Sequence, residues 1–152
     1  MMEPKISKIG FALCKVITEQ FAIIEEGFSE TGRVGIRTNL KFGPGFLQKR
    51  IICLTSFSFE SDEKPFIVIE AGCHFQITEI TWKQMFDKES DSLVVPKNFL
   101  VHLAMLTVGT TRGILHAKTE HTSFNNYLLP AINVSALIKK DAVFKFNQQK
   151  GS

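Results

Sequence analysis

The chain has 152 residues, 44% of them apolar and 22% charged, with a formal net charge of +3. That balance suits a single soluble domain with one sizeable core and excludes a wholly disordered chain. The longest apolar stretch, around Phe99 to Val108, falls short of the about 20 residues that span a bilayer, and no run of Lys or Arg marks a nucleic-acid arm.

In residues 1–16 a charge or a glycine breaks every apolar run, and no small-residue cleavage site follows. The expectation is a cytoplasmic protein without a secretory leader or direct membrane insertion. Gly151-Ser152 reads as a cloning remnant, which leaves residues 1–150 as one domain. The three cysteines, Cys14, Cys53 and Cys73, are odd in number and far apart. They predict small buried hydrophobes and no disulfide framework.

Four strands are predicted first. Ala12 to Ile24 is rich in β-branched and aromatic residues, and Gly27 to Gly35 breaks it. Val34, Ile36, Thr38, Leu40 and Phe42 then alternate with smaller or polar residues, the period of a half-buried strand. Gly43-Pro44-Gly45 is expected to end that strand. The third strand runs to Glu60, and Ser61 to Pro65 reads as a hairpin turn. In the fourth, Ile67, Ile69, Ala71, Cys73, Phe75 and Ile77 share one face, and Phe66, Val68, Glu70, Gly72, His74 and Gln76 the other. Short connections favour an antiparallel meander.

The period then changes. Thr81 to Phe86 suits a short helical turn and Asp87 to Ser92 a polar loop. Pro96 can open a helix, where its missing N–H costs nothing. Lys97 to Thr111 is apolar on nearly all sides, and Gly113 is placed to cap it. Such a helix needs cover on more than one side, so it predicts an unusually enclosed core or a subunit interface. Asn133 can cap a second short helix over Val134 to Lys140, and Asp141 to Lys150 suits a strand fragment or tail. The composite is α+β: a four-stranded, meander-like antiparallel sheet with a long and a short helix on one face.

Chemistry is sparse. Gly43 to Gly45 lacks the length and ending of a phosphate loop, and no nucleophile elbow occurs. Cys73 and His74 are strand neighbours pointing to opposite faces, so a metal site is not expected. Arg112, His116, Lys118, Glu120 and His121 could form an acid–base cluster, but a charged helix end explains them as well. No catalytic residue and no cofactor is assigned. The 14 phenylalanines stand out, several near turns, including Phe28, Phe46, Phe66 and Phe124. Most belong in a core, yet the surplus suggests an apolar surface for a polypeptide or partner.

The order of elements, with VPKNFLVHLAMLTVGTTRG at 94–113, YLLPAINVSALI at 127–138 and EAGCHF at 70–75, resembles the SecB-type export chaperone family. The similarity covers about Val34 to Ile138 and is closest to divergent SecB-like members. The resemblance implies a homo-oligomer, a dimer of dimers, that holds unfolded or presecretory polypeptides without ATP and passes them to a translocase motor. It implies a peptide groove walled by Phe28, Phe124, Tyr127, Leu128, Leu129, Val134, Leu137 and Ile138. It also implies an oligomer interface through Phe99, Leu100, Leu103, Met105 and Leu106, and a motor-docking surface at Glu19, Phe66 and Glu70. The link near Gly27 to Arg33 is shorter than the family's crossover, and Val68 stands where an acid is expected. Two other readings stay open: a dedicated partner of one antitoxin or secreted substrate, and a small-molecule-binding protein using the Arg112 to His121 cluster.

Overall fold

The computed structural model describes residues 10–146; residues 1–9 and 147–152, with Gly151 and Ser152 among them, lie outside the described residues. Strands β1 (Phe11–Ile23), β2 (Val34–Gly45), β3 (Arg50–Ser61) and β4 (Lys64–Ile77) form one antiparallel sheet in the order β1-β4-β3-β2. A short helix α1 (Glu79–Met85), strands β5 (Phe86–Asp87) and β6 (Ser92–Val95), the long helix α2 (Lys97–Thr119), helix α3 (Val134–Leu137) and strand β7 (Ala142–Lys145) follow. The α+β class, the four-stranded antiparallel sheet and the presence of a long and a short helix are as predicted.

Only β2, β3 and β4 form a meander. The β1–β2 link crosses the end of the sheet so that β1 can pair beyond β4. The link passes so close to β4 that a Cβ on Gly27 would collide with the Pro65 carbonyl oxygen. Only glycine tolerates that approach. It brings Phe28 onto the Phe66 ring, with centroids 5.0 Å apart.

The β3–β4 hairpin closes on Asp62 and Glu63, both in the left-handed region at φ 53° and 69°. Two such residues make the turn whose twist matches its strands. Beyond the turn, Phe59 pairs with Ile67 but Glu60 with Pro65, so Phe66 is an extra, bulged residue. The bulge overturns the strict alternation expected for β4. Phe66 turns inward and is fully buried, so it cannot belong to an outer docking surface. Two more bulges, at Cys14 and Glu19, interrupt β1. Gly43-Pro44-Gly45 does not end β2; all three residues pair with β3, and the turn falls at 46–49, with Lys49 at φ 58°.

Helix α2 lies on the sheet's inner face. Pro96 supplies its cap, accepting from the Phe99 and Leu100 amides, and the Lys97 amide donates to Asp141 Oδ1 at 2.8 Å. Those bonds satisfy donors that a helix start leaves orphaned. The helix passes straight through Gly113, the predicted cap, and ends at Thr119. No described glycine has positive φ, so Gly113 makes no left-handed cap. Buried Thr107, Thr111 and Thr119 donate their hydroxyls to the carbonyls four residues back. Polar side chains thus sit dry on the sheet-facing side without an unpaired group.

Phe57, Phe66, Phe75, Leu103 and Leu115 are among the fully buried side chains, each worth about 1.5–3 kcal/mol when removed from water. Phe99, Leu100 and Leu103 also lie inside this core, which corrects their assignment to a subunit interface. The outward face of the helix carries exposed Met105 and Leu106 beside His102, Gly109 and Gly113, so its apolar character extends beyond the core-facing side. Strands β5, β6 and β7 make a second, three-stranded sheet that the sequence does not announce.

Candidate functional site

After α2 the chain doubles back along the helix, and this return segment is held by side chains that reach its backbone. Arg112 donates from Nε to the Leu129 carbonyl at 3.0 Å and from Nη2 to the Pro130 carbonyl at 2.8 Å. Asn125 Nδ2 donates to the His116 carbonyl at 3.2 Å and to Thr119 Oγ1 at 3.0 Å. Thr122 Oγ1 donates to the Thr119 carbonyl at 2.7 Å and accepts from the Phe124 amide at 3.1 Å. These bonds fix Phe124 and Tyr127 over the hairpin end of the sheet.

There the aromatic rings gather. Phe124 lies 5.4 Å from Phe28 and 6.0 Å from Phe66, centroid to centroid. Tyr127 lies 5.1 Å from Phe66, 6.0 Å from Phe59 and 6.1 Å from Phe28. Most of these contacts are edge-to-face, the arrangement that ring quadrupoles favour. Three separate segments therefore contribute to one cluster: the β1–β2 link, the β3–β4 hairpin and the return segment. Phe66 stands out in the sequence only as a phenylalanine beside a turn and Phe59 not at all; the bulge that brings Phe66 in leaves no mark in a strand's alternation.

The predicted groove residues divide into two layers. Phe124, Leu129, Val134 and Ile138 are buried beneath the return segment and cannot line an open groove. Phe28 and Tyr127 are half-buried at the surface of the cluster, while Leu128 and Leu137 are 52% and 48% exposed. Helix α3 is shorter than predicted, and Asn133 makes no side-chain cap.

A second apolar area lies on the helix and the sheet edge. Met105 and Leu106 are 57% and 41% exposed, and on β1 Leu13 and Val16 are exposed too. Leu13 pairs with Phe75 and Val16 with Cys73, so both belong to the inner face of the sheet. The helix rests on β3 and β4 and leaves that strip of β1 open beyond Phe11, whose ring packs on Phe99 and His102.

The Arg112 to His121 cluster does not converge. Arg112 is committed to the return segment, and His116 and Glu120 form a half-exposed pair one helical turn apart, 3.6 Å between Nε2 and Oε2. Of the docking residues, Glu19 is exposed at a β1 bulge and Glu70 is half-buried on the outer face beside Val68. Cys53 and Cys73 are buried as expected, but Cys14 is exposed. Burial pushes the Cys53 thiol up to about 12. No helix among the described residues is long and apolar enough to cross a membrane. No protein-family model matches the chain, and no curated protein matches it either.

Proposed function

We propose that this chain is a SecB-type holdase: a non-catalytic, ATP-independent, cytoplasmic chaperone that binds unfolded polypeptides. The observation that carries the reading is the layered aromatic cluster, where Phe28 and Tyr127 stand at the surface over buried Phe66 and Phe124, with Leu128 and Leu137 exposed alongside. A rigid aromatic floor offers apolar contact to any extended chain. Complete burial of a large side chain contributes about 1.5–3 kcal/mol and association costs several, so many partial contacts along one surface supply affinity with little sequence preference.

The proposal includes a homo-oligomer in which a second copy covers Met105, Leu106, Leu13 and Val16, the apolar side chains left open between α2 and β1. It stops short of the export motor. With Phe66 inside the core and Val68 in place of an acid, the outer face keeps only Glu19 and Glu70 of the implied docking surface.

The test is aggregation of a chemically unfolded client, followed by light scattering without nucleotide. Suppression at a one-to-one ratio, weakened by Phe28→Ala and Leu128→Ser together, supports the reading. Failure to suppress any of several unrelated clients, with tight capture of a single native partner, would place the chain among dedicated interaction proteins instead.

A further inference from the structure

At the opposite end of β3 from the aromatic cluster, a cavity of about 290 Å³ opens between the β2–β3 turn, α1 and the small sheet. Phe46, Trp82, Phe86 and Phe146 wall it, and Lys49, Lys83 and Asp91 stand around it. Phe46 meets Trp82 at 6.0 Å and 88°, and Phe146 at 5.2 Å and 90°. Small-ligand sites start near about 300 Å³, so the space suits a ligand of one ring. Perpendicular walls offer such a ring both a face and an edge to pack against.

We infer that this cavity binds a small aromatic carboxylate, its ring packed against the wall that Phe46, Trp82 and Phe86 form together and its charge at the lysines. Two ammonium groups line the cavity against one carboxylate. Lys49 is shared with Glu79 at 3.7 Å. Lys83 has no ion-pair partner among the described residues. A carboxylate held by Lys83, which is exposed at the rim of the cavity, gains a charge-assisted hydrogen bond while its ring packs on the apolar wall. Asp91 opposes the ligand's charge and so limits affinity. The inference does not rest on the polypeptide-holding reading, because it uses none of the same residues.

Trp82 is the only tryptophan of the chain, so its fluorescence reports on this cavity alone. The full chain is titrated with 3-phenylpropionate and, in parallel, with the uncharged 3-phenylpropanamide. A saturable fluorescence change is expected, with the amide about tenfold weaker, Lys83→Gln weaker by a similar factor and Asp91→Asn a few-fold tighter. Phe46→Ala should abolish the response while the circular dichroism of the fold is retained. Lys83 and Asp91 are surface substitutions and keep the test decisive even where Phe46→Ala fails to fold. The inference is overturned by the absence of saturation below about 10 mM, or by equal affinity for acid and amide.

Discussion

The hydroxyls of Thr55 on β3 and Thr111 on α2 lie 2.7 Å apart in the buried layer between sheet and helix. Thr111 also donates to the Thr107 carbonyl at 2.8 Å, so its proton is taken and Thr55 must be the donor of the pair. The two residues are therefore unequal. Thr111→Val leaves the Thr55 hydroxyl buried without an acceptor and should cost about 1–3 kcal/mol, whereas Thr55→Val removes one bond and should cost about 0.5–1.5 kcal/mol. The double valine variant should be less destabilised than the sum, which a denaturant-unfolding cycle measures. Strict additivity would show that the pair is not coupled.

Arg112 is expected to act on the return segment rather than on charge. Arg112→Ala frees the Leu129 and Pro130 carbonyls and should lower stability by about 1–3 kcal/mol. Amide exchange should accelerate in 121–133 while the sheet stays protected. Arg112→Lys keeps the charge but loses the planar fork, and should recover only part of the protection. Unchanged exchange in 121–133 would show that Arg112 does not hold the return segment.

Thiol labelling separates the three cysteines. A water-soluble reagent should modify Cys14 alone in the native chain and all three after denaturation. Cys53 resists because it is dry and its thiol is held up near 12, where almost none is thiolate at neutral pH. Rapid native labelling of more than one thiol per chain would mean that the sheet–helix interface opens readily.

His74, on the outer face of β4, has its pKa lowered from 6.5, first by burial and then by Lys15 and Arg50, with Glu19 pulling the other way. A histidine lowered in the folded state binds fewer protons there than when unfolded, so stability rises with pH in that range. The contribution is complete above the ordinary value of 6.5 and is lost as pH falls toward the depressed folded value. His74→Gln should flatten the stability profile below pH 6.5 and leave it unaltered at about pH 8, where the ordinary histidine is already neutral. Thermal melts across that range measure the difference.

Much of the fold can be read from residue order, because it is written in local periods. The alternation in β2 and the apolar face Ile67 to Ile77 of β4 mark half-buried strands, and Pro96 marks the start of α2. Gly113 misleads because glycine is favoured after a helix yet is tolerated within one, here on the exposed side where nothing approaches within 4 Å. The small sheet is illegible because β5 and β6 are too short to show a period and β7 joins them from distant sequence. The candidate site was half legible. Phe28, Phe124 and Tyr127 stand out as aromatics in connecting segments and Phe66 as a phenylalanine beside a turn, but Phe59 looks like an ordinary strand residue, and only the bulge and the crossover bring them together.

The strand order β1-β4-β3-β2 also sets a timetable. Phe11 pairs with Ile77 and Ile23 with Ile67, so β1 has no strand neighbour until β4 begins, and its Phe11 end has none until Ile77 has been made. On the ribosome, β2 and β3 can zip together through a short turn, while β1, made before them, can dock only onto β4. In that interval a long strand rich in Val, Ile and Phe waits unpaired, and its own docking is the step most exposed to competition from other nascent chains.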